Sequence, residues 1–471
     1  VFTQYDQESA ALTQELRDQF ATFIAGKWDA RALVSHQTEK LRSVVAYARA
    51  RSPFYRERLA GLTDTAVSAL TLDGLRSLPF TTKDDLRTAQ FDILSRPVSD
   101  AWVFYETTGT TGAATPCPRT NVDSVYNNTV LTEYYRGVLA PHGDRQVIGV
   151  SGPSELHATG DTFGDVCRNL GHAVAKMWPH SPVIGFDRAL EVMRLLPVTG
   201  LFCTPGMAMS LFQKATEAGL RPREDFALDV LLLTGELMSP SLLENLGRLW
   251  DCEVHNVLYA SQEASVLAAA TADGALRTAP LINLYEVIDP DTLEAVRPDA
   301  AGVRYGELVV TNLYLGAKPL IRYRTGDLVR MTDPAPGAAV PAPAVAAVGR
   351  VRDRLLLNGR LVNGYDLENL LLASFRGYGD YQITVERDDL GRDRLTLTLR
   401  ADPADCRDGI EQAAGRCLDE LGTPLSVRFG VPGSITTTGA MVSWKAARVV
   451  DLRAGRSTED SAAERIAAAR A

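Results

Sequence analysis

Paired cysteines are absent from this sequence. Cys117, Cys167, Cys203, Cys252, Cys406 and Cys417 are scattered through 471 residues with no C-x-x-C among them. That spacing argues against a structural zinc and predicts buried, inert thiols in a reducing compartment. An excess of positive charge is also missing, since 49 Lys and Arg face 58 Asp and Glu for a formal net charge of −9. Nucleic-acid binding depends on Lys and Arg contacts to phosphate, so no nucleic-acid partner is expected. No run approaches 18 apolar residues without a charge, so no membrane-spanning helix is expected. The opening VFTQYDQESAALTQELRDQF lacks a basic region followed by an apolar core, so no secretory leader is expected and the expected location is cytoplasmic. What is present suits an ordinary globular protein: 45% hydrophobic and 23% charged residues. The length allows roughly two to four domains.

Residues 7–60 place apolar positions three and four apart and predict helices, a pattern that Ser52-Pro53 stops. Between about 100 and 330, the runs VIGVSG (147–152), LFCTP (201–205), VLLLTGE (230–236), CEVHNVLY (252–259) and ELVVTNL (307–313) predict buried strands. DVCRNLGHAV, GMAMSLFQKATEAG and PSLLENLGRLW predict helices between them, which implies βα units on a mostly parallel sheet. Near 285–330 tight turns predict an antiparallel β portion, and TDPAPGAAVPAPAVAAV (332–348) reads as a surface loop. Beyond it RLLLNGRLVNG, a helix at 366–375, YQITVE, RLTLTLR, a helix at 407–421 and LSVRFGV form a small α+β unit. The expected fold is therefore α/β. A large N-terminal domain (1–350) has mostly parallel sheets flanked by helices plus a β portion, and a small α+β C-terminal domain (351–471) follows. The tail SAAERIAAARA reads as a short or frayed helix.

Four segments carry candidate chemistry. In TTGTTGAATP (107–116), glycines permit a tight turn whose hydroxyls and backbone N–H groups can cradle phosphate, although no Walker Gly-Lys-Ser/Thr follows. Tyr259-Ala260-Ser261-Gln262-Glu263, at a strand end, offers an aromatic face and a carboxylate. Tyr323-Arg324-Thr325-Gly326-Asp327 offers an acid able to accept two ribose hydroxyls, and Lys445 stands before a strand-like run. Each also has a plain reading: a solvated turn, a capping Glu, a surface ion pair and a solvated Lys.

Together, in this order, these segments resemble the adenylate-forming superfamily of acyl-CoA synthetases, nonribosomal adenylation domains and luciferases, and phenylacetate-CoA ligases above all. The likeness extends through EKLRSVVAYARARSPFYRERL, LPFTTKDDLR, TTGTTGAATP, GELVVTNLYLGAKPLIRYRTGDLVRM, GRVRDRLLLNG and WKAARVVD. It implies ATP phosphates held by Thr107, Thr108, Gly109, Thr110, Thr111 and Gly112, and an adenine pocket edged by Gly235 and Glu236. It further implies stacking of Tyr259 on adenine, Mg²⁺ on Glu263, and ribose on Asp327 assisted by Arg350. Lys445 matches the mobile lysine that bridges carboxylate and α-phosphate, carried by a C-terminal domain that rotates between half-reactions. The implied activity is adenylation of an aryl carboxylic acid by ATP with Mg²⁺, followed by transfer to CoA. A carrier-protein phosphopantetheine, an amine or hydroxyl, or a small inorganic nucleophile in secondary metabolism is the alternative acceptor. A homodimer is left open.

The sequence departs from the pattern in several places. Ala113 stands where many relatives have Lys, Ala260 replaces Gly, Gln262 replaces Ser or Thr, and Arg352 replaces the hinge Asp. Phosphate neutralisation is therefore expected from Mg²⁺, hydroxyls and backbone dipoles. SVLAAATADGALR after the Glu motif has no Cys or His, so no zinc is expected. The acid pocket is expected between the loop after residue 147 and segments 202–207 and 233–238, with Ser154, Glu155, His157, Thr204 and Gly206 as candidates. Trp178 and His180 are further candidates. His157 falls where a phenylacetate ligase presents an aromatic residue. That polar wall suits a hydroxy- or amino-substituted benzoate-type acid, unless Glu155 and His157 simply pair at the surface.

Overall fold

The structure, a computed structural model, describes residues 6–107, 114–432 and 448–453. Helices α1 (Gln7–Ile24), α2 (Ala30–Arg51), α3 (Pro53–Arg58), α4 (Asp64–Ser68) and α5 (Lys83–Ala89) come first. Their starts follow side-chain caps: Asp6, Asp29, Ser52, Thr63 and Thr82 each accept a first-turn N–H. The hairpin β1 (Val103–Glu106) and β2 (Pro116–Arg119) brackets the Thr/Gly segment, and α6 (Asn121–Leu139) follows it.

The α/β core then runs β3 (Val147–Val150), α7 (Thr159–Asn169), β4 (Ala173–Lys176), α8 (Gly185–Leu195), β5 (Gly200–Cys203), α9 (Pro205–Glu217), α10 (Pro222–Asp225), β6 (Val230–Thr234), α11 (Pro240–Trp250) and β7 (Glu253–Ser261). The strands β8 (Ser265–Ala270), β9 (Leu276–Thr278), β10 (Asn283–Ile288), β11 (Val303–Asn312), β12 (Tyr323–Thr332) and β13 (Ala344–Arg350) complete an 11-stranded sheet of order β10-β11-β12-β13-β9-β8-β7-β6-β5-β3-β4. β3 to β7 pair in parallel and β7 to β13 antiparallel, so the expected parallel and β portions are two halves of one sheet. Both faces are covered. In β6, Val230 and Leu232 join one apolar cluster while Leu231 and Leu233 join the other, as expected of a strand buried on two sides.

Beyond β13 come the hairpin β14 (Leu355–Leu357) and β15 (Arg360–Val362), α12 (Gly364–Leu372), β16 (Asp380–Arg387), β17 (Asp393–Arg400), α13 (Arg407–Leu421), β18 (Leu425–Phe429) and β19 (Val449–Asp451). Asn358 and Gly359 turn the hairpin with φ of +46° and +81°, the left-handed pair that a two-residue loop demands. A separate four-stranded sheet, β18-β17-β16-β19, carries this unit. Its core is continuous with the helices α9 and α11: Met207, Leu242 and Trp250 share one cluster with Leu367, Leu371 and Ile383. Polar contacts reinforce that seam, among them Ser241 Oγ to Asn369 Oδ1 at 2.9 Å and Asn245 Nδ2 to the Tyr378 carbonyl at 2.8 Å.

Two expectations are corrected here. The helix read through DVCRNLGHAV ends at Asn169, because Gly171 turns with φ +89° and Ala173–Lys176 pairs with β3. Part of the Pro/Ala stretch at 332–348 is not loop. From Ala344 it is β13, hydrogen-bonded to β12 along six register positions, so tertiary pairing overrides its composition. The helix α6 escaped the apolar pattern because it is buried nearly all round, Asn127, Asn128, Thr129 and Thr132 included. Asn127 Oδ1 is satisfied by the N–H of Val266 at 3.1 Å.

Candidate active site

The cleft is framed where β7, β12 and β13 meet the first helices. Ser52 caps α3 and buries Tyr55, whose hydroxyl bonds Thr81 Oγ1 and accepts from Ile321 N–H, both at 3.0 Å. Thr81 in turn bridges Tyr323 in parallel. The SPFYR and LPFTTKDDLR segments are thereby docked along RYRTGD. Within that motif the arginines are structural. Arg322, at φ +47°, pairs with Glu286 at 2.9 Å and lies 3.9 Å over the Phe80 ring, while Arg324 pairs with Glu307 at 2.6 Å. Asp327 is engaged by different groups. It accepts from Tyr259 Oη at 2.9 Å, and its cross-strand neighbour Arg350 places Nε 3.8 Å from Oδ1. Burial first, then the Asp327 charge, pushes the Tyr259 phenol well up. The phenol therefore stays a donor.

Glu263 is buried at the end of this wall. Burial opposes its charge, but Lys83 and Lys318 hold its carboxyl below the usual carboxylate range. Lys83, the first residue of α5, places Nζ 3.1 Å from Oε1. Buried Lys318 donates to the Pro116 carbonyl at 3.2 Å and contacts Cys117 Sγ at 3.0 Å, just beyond the Thr/Gly segment. Two lysines flank the Glu263 carboxylate, and sequence reasoning missed both. Lys83 lay in plain view in LPFTTKDDLR, and only its distant partner was hidden.

Thr107 clasps the neck of its loop. Its Oγ1 accepts from Thr115 N–H at 2.9 Å, and its own N–H donates to the Thr115 carbonyl at 3.2 Å. Thr108, Gly109, Thr110, Thr111, Gly112 and Lys445 lie outside the described residues. Gln262 Oε1 and Thr115 Oγ1 are enclosed yet complete no hydrogen bond, and Glu263 Oε1 is enclosed with the Lys83 ammonium 3.1 Å away. An ionised oxygen of this kind suits a hard divalent cation shared with phosphates.

On the acid side, Gly235 turns at φ +89°, and Glu236 Oε2 accepts from Gly206 N–H at 3.2 Å. A Cβ on Gly206 would lie 3.1 Å from Glu236 Oε1 and 3.3 Å from Arg448 Nη2, so glycine keeps this junction open. Thr204 caps α9, its hydroxyl oxygen accepting from Met207 N–H at 3.1 Å. The 154–160 loop lies against β1, with Glu106 N–H donating to the Leu156 carbonyl at 3.0 Å. His157 is half-buried and its Nδ1 sits 2.9 Å from Thr159 Oγ1. Glu155 is exposed, and its Oε2 accepts from Ser154 N–H at 3.2 Å, so this carboxylate turns back on its own loop rather than walling a pocket. Trp178 and His180 pack edge to face at 5.0 Å, and His180 against Phe186 at 5.4 Å.

The chain is 28% identical over 367 residues to a phenylacetate-coenzyme A ligase of Thermus thermophilus, covering 75% of this chain and 78% of the relative. A phenylacetate-coenzyme A ligase of Pseudomonas putida is 25% identical over 409 residues, 85% of this chain and 89% of the relative. The chain is thus similar to phenylacetate-CoA ligases over most of its length. Its fold matches the crystal structure of 2-hydroxyisobutyryl-CoA ligase in the postadenylation state, in complex with 2-HIB-AMP. That match has a TM-score of 0.74 at 22% identity and covers 92% of this chain and 91% of the other. The same ligase in its thioesterification state gives a TM-score of 0.62 at 22% identity, covering 93% of each chain. No family model matches the chain. No helix among the described residues is long and apolar enough to cross a membrane. All six cysteines are free, five of them buried.

Proposed function

We propose that this phenylacetate-CoA-ligase-like enzyme adenylates an aryl carboxylic acid with ATP, releases pyrophosphate and passes the acyl group to CoA. One observation carries the reading: a charged Glu263 between two lysines, on the wall that also carries the Tyr259–Asp327 hydrogen bond. In this reading Asp327 and Arg350 hold the ribose, Tyr259 and the Gly235–Glu236 turn border adenine, and the Thr/Gly loop holds the phosphates. Glu263 has the charge and the enclosed oxygen to hold Mg²⁺, which when bound would offset phosphate charge. The acid carboxylate and the α-phosphate are both anionic, so a cation at their meeting point is required. Lys445 is assigned that role. Arg448, three residues further on, stands at Gly206 and Glu236. Residues 351–471 act as the mobile small domain that carries this lysine away for the second half-reaction.

The acid is assigned as a hydroxy- or amino-substituted benzoate-type acid, because half-buried His157 offers a polar group where an unsubstituted ring has none. Leaving such a partner unmatched costs about 1–3 kcal/mol, so the unsubstituted acid is expected to lose roughly 5- to 150-fold in kcat/KM. The test is pyrophosphate release over a panel of benzoates and phenylacetates, with and without CoA, in wild type and His157→Phe. The variant is expected to narrow the preference. Equal ratios in both proteins place His157 outside the pocket, and acyl adenylate without CoA thioester moves the acceptor to another nucleophile.

The Lys83–Glu263 pair gives a pH prediction. Glu263 is ionised because lysines outweigh burial, so Lys83→Met is expected to raise its pKa and shift the acid limb of the pH–rate profile upward. An acid limb in the same place in both proteins removes Lys83 from this role.

A further inference from the structure

A second cluster of ligand groups lies at the other end of β7. Glu253 and His255 begin that strand two residues apart and so share a face. His142 closes the short turn Ala140–His142 after α6. Its Nε2 lies 3.3 Å from Glu253 Oε2, and His255 Nε2 lies 2.9 Å from Glu253 Oε1. One nitrogen or oxygen from each of the three residues lies within 4.8 Å of the others. The two imidazole side chains are 10% and 16% exposed, whereas the Glu253 side chain is 55% exposed, giving an enclosed base with an open mouth. Both Nε2 atoms are shut off from solvent and complete no hydrogen bond of ordinary geometry.

We propose that His142, Glu253 and His255 bind a divalent transition metal ion, zinc foremost, at a site distinct from the nucleotide cleft. Two neutral imidazole nitrogens and one carboxylate are a borderline-soft donor set that suits zinc and disfavours magnesium. A tetrahedral ion with bonds of about 2.0 Å sets its ligand atoms about 3.3 Å apart, close to the spacings seen here. Water or an external ligand takes the fourth position through the open side. His255 lies four residues before Tyr259, about 13 Å along the strand, so the ion would not meet the reacting groups. It would tie the end of α6 to the start of β7, the two elements that bring the Thr/Gly loop and the Tyr259–Glu263 wall together. The expectation of no zinc rested on the cysteine spacing and on the segment after Glu263, and this His/Glu group draws on neither.

The test uses the full chain after EDTA treatment and dialysis. Zinc titration by calorimetry, zinc content by mass spectrometry and thermal melting are compared in wild type, His142→Ala and His255→Gln. One zinc per chain and a rise of a few degrees in Tm are expected for wild type. Each variant is expected to bind on the order of 100-fold more weakly and to lose that rise, while melting like wild type in EDTA. Cobalt is expected to give the intense visible bands of tetrahedral coordination in wild type alone. Absence of zinc binding to wild type overturns the proposal and leaves an ion-paired triad. Equal zinc binding by wild type and both variants also overturns it, because the ion then sits on other groups.

Discussion

Lys445→Ala is expected to slow pyrophosphate release by on the order of 100-fold or more, the consequence of losing roughly 3 kcal/mol of transition-state stabilisation. The lysine is assigned to the point where two anions must approach. Arg448, the nearest described basic side chain along the sequence, is held by Asp380 and donates to the Tyr381 carbonyl at 3.0 Å. Nucleotide binding is expected to stay near wild type, since the lysine is assigned to charge that develops in the transition state. The measurement is single-turnover pyrophosphate release with ATP and the preferred acid, alongside equilibrium ATP binding. A variant that releases pyrophosphate at the wild-type rate places the catalytic lysine elsewhere.

Glu263→Gln is expected to raise the Mg²⁺ requirement steeply and to cost on the order of 100-fold in rate at low Mg²⁺, because an amide cannot supply the carboxylate's charge to a divalent ion. Its effect differs from that of Lys83→Met. The glutamine variant removes the anion itself, so its loss persists at every pH, whereas the lysine variant shifts only where Glu263 titrates. Since Lys83 and Lys318 both lean on this carboxylate, melting curves are needed beside the kinetics. Glu263→Asp keeps the charge and separates lost metal affinity from lost packing. An unchanged Mg²⁺ titration in Glu263→Gln removes the residue from the metal site.

Much of the frame was legible because its signals are local. Ser52-Pro53 and Thr82 start helices through their own hydroxyls, VLLLT is apolar throughout because both of its faces are covered, and Asn358-Gly359 specifies a hairpin turn. The motifs were legible for the same reason, since each is a short run with unusual chemistry. What they do was less so. RYRTGD offers two arginines and an acid without saying that Glu286 and Glu307 neutralise the arginines, leaving Asp327 for the cleft. Thr204 was read as a pocket hydroxyl without the helix-capping bond that its oxygen makes. β13 was hidden in a Pro/Ala stretch because alanine and valine become a strand only when β12 presents a paired edge.

The sequence by itself determined the α/β class, much of the order of helices and strands, and the motifs that resemble those of adenylate-forming enzymes. Tertiary structure alone decided the partnerships: Lys83 and Lys318 with Glu263, Tyr259 with Asp327, and His142 with Glu253 and His255. The physical reason is range. Capping, turn formation and apolar periodicity act over a few residues and leave their mark there, whereas an ion pair or a ligand cluster depends on which distant strands the sheet sets side by side.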